Sequence, residues 1–220
     1  MKKIKFPLIF LSLALVVVLA FQVSRAFAEP DWIIYDDDEL DTTHTSGATE
    51  VQLAVRFTPP FYPCKLIAAK FYINWYPTWL PPGYPTFRVH VTDVDHNDLI
   101  TPFDVGRPTD AYPLWLTVDL SAYNLIIESG DFMVSVEFLR PSDNPVFGVD
   151  TDSPIDQRSY TNCWIGWGWT LLTDRDFMIR AEVAPIPGAP VPEFEFSVPV
   201  VASVSVALYL FMKQRLVKKG

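Results

Sequence analysis

Oxygen-bearing side chains at alternating positions are the first chemistry the sequence offers. Asp93-Val94-Asp95-His96-Asn97-Asp98, with Asp104 further on, places Asp93, Asp95, Asn97 and Asp104 where a calcium-binding loop holds its first, third, fifth and twelfth ligands. Asp98, however, stands at the sixth position, where the sharp turn wants glycine, and Asp104 is shorter than the usual bidentate glutamate. A calcium loop and a solvated hairpin turn are both open readings, and calcium is the only cofactor these residues suggest. Two further acidic stretches are cation-ligand candidates: Asp36-Asp37-Asp38-Glu39, otherwise read as part of a mobile acidic leader, and Gly148-Val149-Asp150-Thr151-Asp152-Ser153, otherwise read as a turn with side chains bonded to their own backbone.

Aromatic residues form the second set. Trp75, Tyr76, Trp79 and Tyr84 crowd a proline-rich loop, and Trp164, Trp167 and Trp169 are interleaved with Gly166 and Gly168. Flat rings held on loops are platforms for sugar rings or for the edge of a neighbouring protein. Trp75, Trp79, Tyr84, Trp167 and Trp169 are therefore candidate contacts for a glycan or partner, with packing at the rim of a core as the competing reading. Catalytic machinery is a poorer match. Asp93 and Asp95 lack the apolar setting that raises the pKa of a general acid, and no phosphate-binding glycine loop, Gly-x-Ser-x-Gly elbow or His-Glu-x-x-His appears. The expectation is a protein that is not an enzyme.

The elements that must position these groups read as strands. Val51 to Phe57, Phe87 to Val91, Phe132 to Phe138 and Phe177 to Val183 alternate apolar and polar residues, and turn chemistry such as Thr58-Pro59-Pro60, Pro81-Pro82-Gly83 and Ser129-Gly130-Asp131 falls between them. Further strands are predicted at 66–76, 114–120 and 159–164. Short half-apolar strands bury their faces by stacking two antiparallel sheets, so the fold class is an all-β, two-sheet antiparallel sandwich over 48–183. Cys64 and Cys163 are expected to form a disulfide closing a loop of about 100 residues, stabilising by up to about 4.7 kcal/mol in the chain-entropy model.

The flanks speak of location. Lys2, Lys3 and Lys5 precede an apolar run, and Ala26-Phe27-Ala28 offers a signal-peptidase site, which predicts a signal peptide at 1–28. An acidic flexible leader at 29–47 follows. At the other end come a proline-rich linker at 184–195, an apolar transmembrane helix at 196–212 and a basic cytoplasmic tail at 213–220. All 26 acidic side chains but only nine of the 17 basic ones fall within 29–195, a net charge of about minus 17. So acidic a surface excludes nucleic acid as a partner.

Pro192-Glu193-Phe194, followed by the apolar segment and the basic end, resembles the PEF-CTERM sorting domain of archaeal surface proteins. The resemblance covers about 190–220 and implies an archaeal, cell-surface protein whose tail is processed by a membrane-embedded archaeosortase. A weaker resemblance links Gly130-Asp131-Phe132, Gly148-Val149-Asp150-Thr151, Arg158-Ser159-Tyr160 and Asp176-Phe177-Met178-Ile179-Arg180-Ala181 to jelly-roll or sandwich modules appended to secreted proteins. Together they imply an extracellular surface or structural protein held at the membrane or envelope, with neighbouring surface proteins or glycans as partners. The alternative is a glycan-binding or adhesive module using its loop tryptophans.

Overall fold

The computed structural model describes residues 30–77, 79–140, 144–152, 154–163 and 168–186. The signal peptide, the Pro192-Glu193-Phe194 motif, the apolar segment 196–212 and the basic tail lie outside these residues.

In chain order the strands are β1 (Asp31–Ile33), β2 (Thr42–His44), β3 (Gln52–Phe57), β4 (Cys64–Trp75), β5 (Pro85–Thr92), β6 (Phe103–Gly106) and β7 (Leu114–Asp119). They continue with β8 (Ile126–Ile127), β9 (Phe132–Phe138), β10 (Val146–Asp150), β11 (Ser159–Asn162), β12 (Thr170–Leu171), β13 (Asp176–Phe177) and β14 (Ile179–Pro185). Every pairing is antiparallel, in two sheets. The first is built on β4, with β14 along one side and β7 and β8 along the other; β1 covers the far edge of β14, and β10 carries β2 and β13. The second runs β12-β11-β3-β9-β5-β6. The expected two-sheet antiparallel sandwich is what the chain forms.

Period-two alternation explains which faces meet. Leu53, Val55 and Phe57 of β3, Phe87, Val89 and Val91 of β5, and Phe132, Val134, Val136 and Phe138 of β9 face Phe71, Ile73, Phe147, Ile179, Ala181 and Val183 from the other sheet. Each fully buried phenylalanine contributes about 1.5–3 kcal/mol from burial alone, and edge-on packing of Phe87 on Phe71 and Phe147 fixes how the rings interdigitate. The alternation of β4 changes phase at Ala68 and Ala69, where pairing with β14 slips at a bulge. Past the bulge Ala69, Phe71, Ile73 and Trp75 share the inward phase. Trp75 is nonetheless 41% exposed, because the strand carries it beyond the cover of the opposite sheet.

Three expectations are corrected. The disulfide does not form: Cys64 and Cys163 are both free. Cys64 follows the turn after Phe57 at one end of β3, whereas Cys163 adjoins Asn162, which pairs with Gln52 at the other end. The length of β3, about 17 Å at the strand rise, separates the two levels, far more than a disulfide spans. Residues 29–47 are not simply a flexible leader, since β1 pairs with β14 and β2 with β10. The linker begins later than 184, because β14 runs to Pro185 opposite Cys64. No helix among the described residues is long and apolar enough to cross a membrane, and the expected spanning helix at 196–212 lies outside those residues.

Candidate functional site

The end of the sandwich where β4 finishes and β5 begins gathers the exposed aromatics. Trp75, the last residue of β4, is fixed opposite Val146 of β10. The chain then turns twice, through hydrogen bonds from Leu80 N to the Pro77 carbonyl and from Tyr84 N to the Pro81 carbonyl, before β5 starts. In the second turn Pro82 supplies the preset φ of the second position, and Gly83 after it adopts φ 78°, a left-handed conformation that favours glycine. Trp79 is 64% exposed and meets Trp75 edge to face at 6.1 Å between centroids. Tyr84 is exposed as well.

Beneath the rim the loop is anchored by buried polar groups. Tyr76 is fully buried, its hydroxyl 2.8 Å from Thr86 Oγ1, and burial pushes its phenol pKa up. Arg107, just after β6, donates from Nη1 to the Leu80 carbonyl at 2.9 Å, and its backbone N–H donates to the Tyr84 carbonyl. The guanidinium of Arg140, just after β9, lies 4.3 Å from the centre of the Tyr84 ring, a cation–π contact. The sequence singled out Trp75, Trp79 and Tyr84 and missed both arginines. Their signal was weak: each merely precedes a proline in a loop.

Of the second tryptophan group only Trp169 is described, Trp164 lying outside the described residues. Trp169 stacks on His96 in the β5–β6 connection, 4.4 Å between centroids with 11° between planes, and Trp167 lies outside the described residues. The exposed indoles are not coplanar, since Trp75 and Trp79 are 64° apart. The two exposed indoles therefore do not form one flat strip.

The expected calcium loop is not assembled. Asp93 Oδ1 accepts the backbone N–H of Asp95 and of Asn97 and shares the Asn97 side-chain amide with Oδ2, holding the Asp93 carboxyl below its usual range. Asp104 sits on β6, bonded to Arg88 at 2.8 Å. Asp93, Asp95, Asn97 and Asp104 thus make an ordinary side-chain-closed turn and a separate ion pair.

Carboxylates converge elsewhere. Asp37, Asp150 and Asp152 each bring an oxygen within 4.8 Å of the others, an arrangement compatible with a hard divalent cation such as calcium. Asp150 is buried at the end of β10, and its oxygens accept the backbone N–H groups of Asp37 and Asp152. Burial holds its pKa above the usual carboxylate value, those hydrogen bonds oppose the shift, and the charges of Asp37 and Asp152 add to it. Beside the cluster, Arg180 grips Asp36 and Asp38, and a shallow cleft of about 100 Å³ is lined by Ile34, Tyr35, Asp36, Asp37, Pro154 and Asp156. The two acidic stretches were named from the sequence separately; the fold unites them.

No protein-family model matches the sequence, and no curated protein matches it. Among solved structures, the chain resembles a clostridial cysteine protease, Cwp84, after propeptide cleavage, with a TM-score of 0.51 and 13% identity over 71% of this chain. A structure of the cysteine protease and lectin-like domains of Cwp84, a surface layer associated protein of Clostridium difficile, gives a TM-score of 0.43 and 14% identity over 63% of this chain. These matches span 40% and 33% of the respective structures. The likeness is one of fold. Cys64 does not offer a protease nucleophile, since it is fully buried and burial pushes its thiol up to about 11, leaving it protonated and out of reach.

Proposed function

We propose that this chain is a surface-exposed, non-catalytic binding module that holds glycans at its aromatic end. The observation that carries the reading is Trp79, a large apolar ring 64% exposed on a loop that Arg107, Pro77 and Pro81 hold firmly to a rigid sandwich. A solvated indole of this kind is costly to a protein that does not use it, and it stacks readily on the apolar face of a pyranose. Trp75, meeting it edge-on, limits its rotation, so less freedom is lost on binding. An outward location is supported by the signal-like leader and agrees with the description of Cwp84, whose fold this chain shares in part, as surface-layer associated.

The test is retention on insoluble and immobilised polysaccharides, followed by titration with oligosaccharides of those retained. Trp79→Ala is expected to weaken binding about tenfold or more, equivalent to about 1.4 kcal/mol, without lowering the melting temperature, because the ring contributes little to the core. Binding unchanged in Trp79→Ala, or no glycan retained by the wild type, would remove the reading.

A further inference from the structure

The class of glycan is written in the arginines, an inference that rests on the glycan reading above. Seven arginines lie among the described residues. Five are held by carboxylates: Arg56 and Arg158 by Asp131, Arg88 by Asp104 and Glu137, Arg175 by Asp174, and Arg180 by Asp36 and Asp38. Arg107 and Arg140 have no carboxylate partner among the described residues, and both stand at the aromatic end against Tyr84. In a domain where acids outnumber cations nearly threefold, arginines are readily captured by carboxylates, so two at one end with no carboxylate partner among the described residues are a local departure from the rule. Arg140 is also preorganised. Held over the Tyr84 ring, its guanidinium is restricted in its motion and can offer a two-point contact to a carboxylate or sulfate. Arg107 is fixed through Leu80, and its Nε is buried without a partner, so it acts as a positioning cation under the loop.

We infer that the aromatic end takes an anionic glycan, a saccharide bearing carboxylate or sulfate groups, with a ring on Trp79 and the acid group on Arg140. Attraction of a polyanion by overall charge is ruled out as its cause, because the domain is itself strongly acidic; any preference must be local.

The experiment measures affinity of the full-length chain for two matched pairs, polygalacturonate against its methyl ester and dextran sulfate against dextran. The wild type is expected to favour the charged member of at least one pair about tenfold, and the pair that shows it tells carboxylate from sulfate. Arg140→Gln should erase the preference while leaving affinity for the neutral member in place. Arg140→Lys, which keeps the charge but not the fork, should retain part of it and guards against loss of folding in the first variant. Arg175→Gln, which removes one cation far from the loop, should change nothing. Equal affinity for both members in the wild type, or a loss of preference as large in Arg175→Gln as in Arg140→Gln, overturns the anionic inference, and the glycan reading then survives if Trp79→Ala still weakens binding. No binding to any of the four polymers overturns both.

Discussion

At the scale of single residues, the acids divide by whether a cation already sits beside them. Burial works against ionised Asp131, yet hydrogen bonds from Thr58 and Arg56 and the charges of Arg56 and Arg158 hold its pKa below the usual value, so its stabilisation is present above pH about 4 and lost as pH falls. Asp150 and its cross-strand neighbour Asp176 behave oppositely. Burial raises both, so their contribution is present when they are protonated and lost as pH rises through their raised values. Without divalent cations, the melting temperature is expected to decline as pH rises through the raised values of Asp150 and Asp176, and Asp150→Asn should flatten that decline. Millimolar calcium should recover the loss at neutral pH by binding Asp37, Asp150 and Asp152, and have little effect where Asp150 is protonated. Thermal unfolding with calcium or with chelator, at matched ionic strength, checks both parts. A profile unchanged by Asp150→Asn and by calcium would reduce the cluster to backbone caps. Both acidic stretches were legible in the sequence but their convergence was not, because Asp37 and Asp150 are 113 residues apart and are joined only when Asp37 lies against the end of β10.

At the scale of elements, legibility followed length. Strands β3, β5, β9 and β14 alternate over enough residues for period two to declare itself, and each was found where expected. β1 and β2 are three residues each, too short for any period, and with the acidic run between them they read as leader. The aromatic loop was legible from its prolines, but what holds it was not: β6 passes so close that a Cβ on Gly106 would meet the Gly83 carbonyl oxygen at 2.6 Å. The Gly83 oxygen belongs to the backbone and the Cβ would be fixed to the backbone of β6, so neither gives way cheaply. Gly106→Ala is therefore expected to push the turn at 81–84 off β6, costing about 1–3 kcal/mol of stability and weakening glycan binding although no aromatic residue has changed. Denaturant titration and the polysaccharide assay on the same protein check this. Loss of stability with full binding would show that the turn is not what positions Trp79 and Tyr84.

At the scale of the molecule, the chain closes on itself. Its first described strand, β1, lies on its last, β14, pairing Asp31 to Val183 and Ile33 to Ala181, and Trp32 stacks under Lys70 of β4 at 3.8 Å. Arg180 of β14 reaches Asp36 and Asp38 in the segment between β1 and β2, and Asp41 accepts the backbone N–H groups of Thr151 and Asp152 beyond β10. The residues taken from the sequence as a leader thus tie both outer strands of the first sheet and supply one third of the acidic cluster. Removing them would uncover the edge of β14, leave Arg180 half-buried without its carboxylates and expose the side of β10, costs that fall on one face together. A fragment of residues 48–186, the domain as composition alone would cut it, is expected to melt well below a fragment of residues 30–186 or to aggregate through the freed β14 edge. Differential scanning calorimetry and size-exclusion chromatography of the two fragments decide it. Equal melting temperatures with both fragments monomeric would mean that β1 and β2 only decorate a sandwich able to stand without them; a large deficit repaired by adding residues 30–47 as a separate peptide would show that the first strands complete the sheet by pairing.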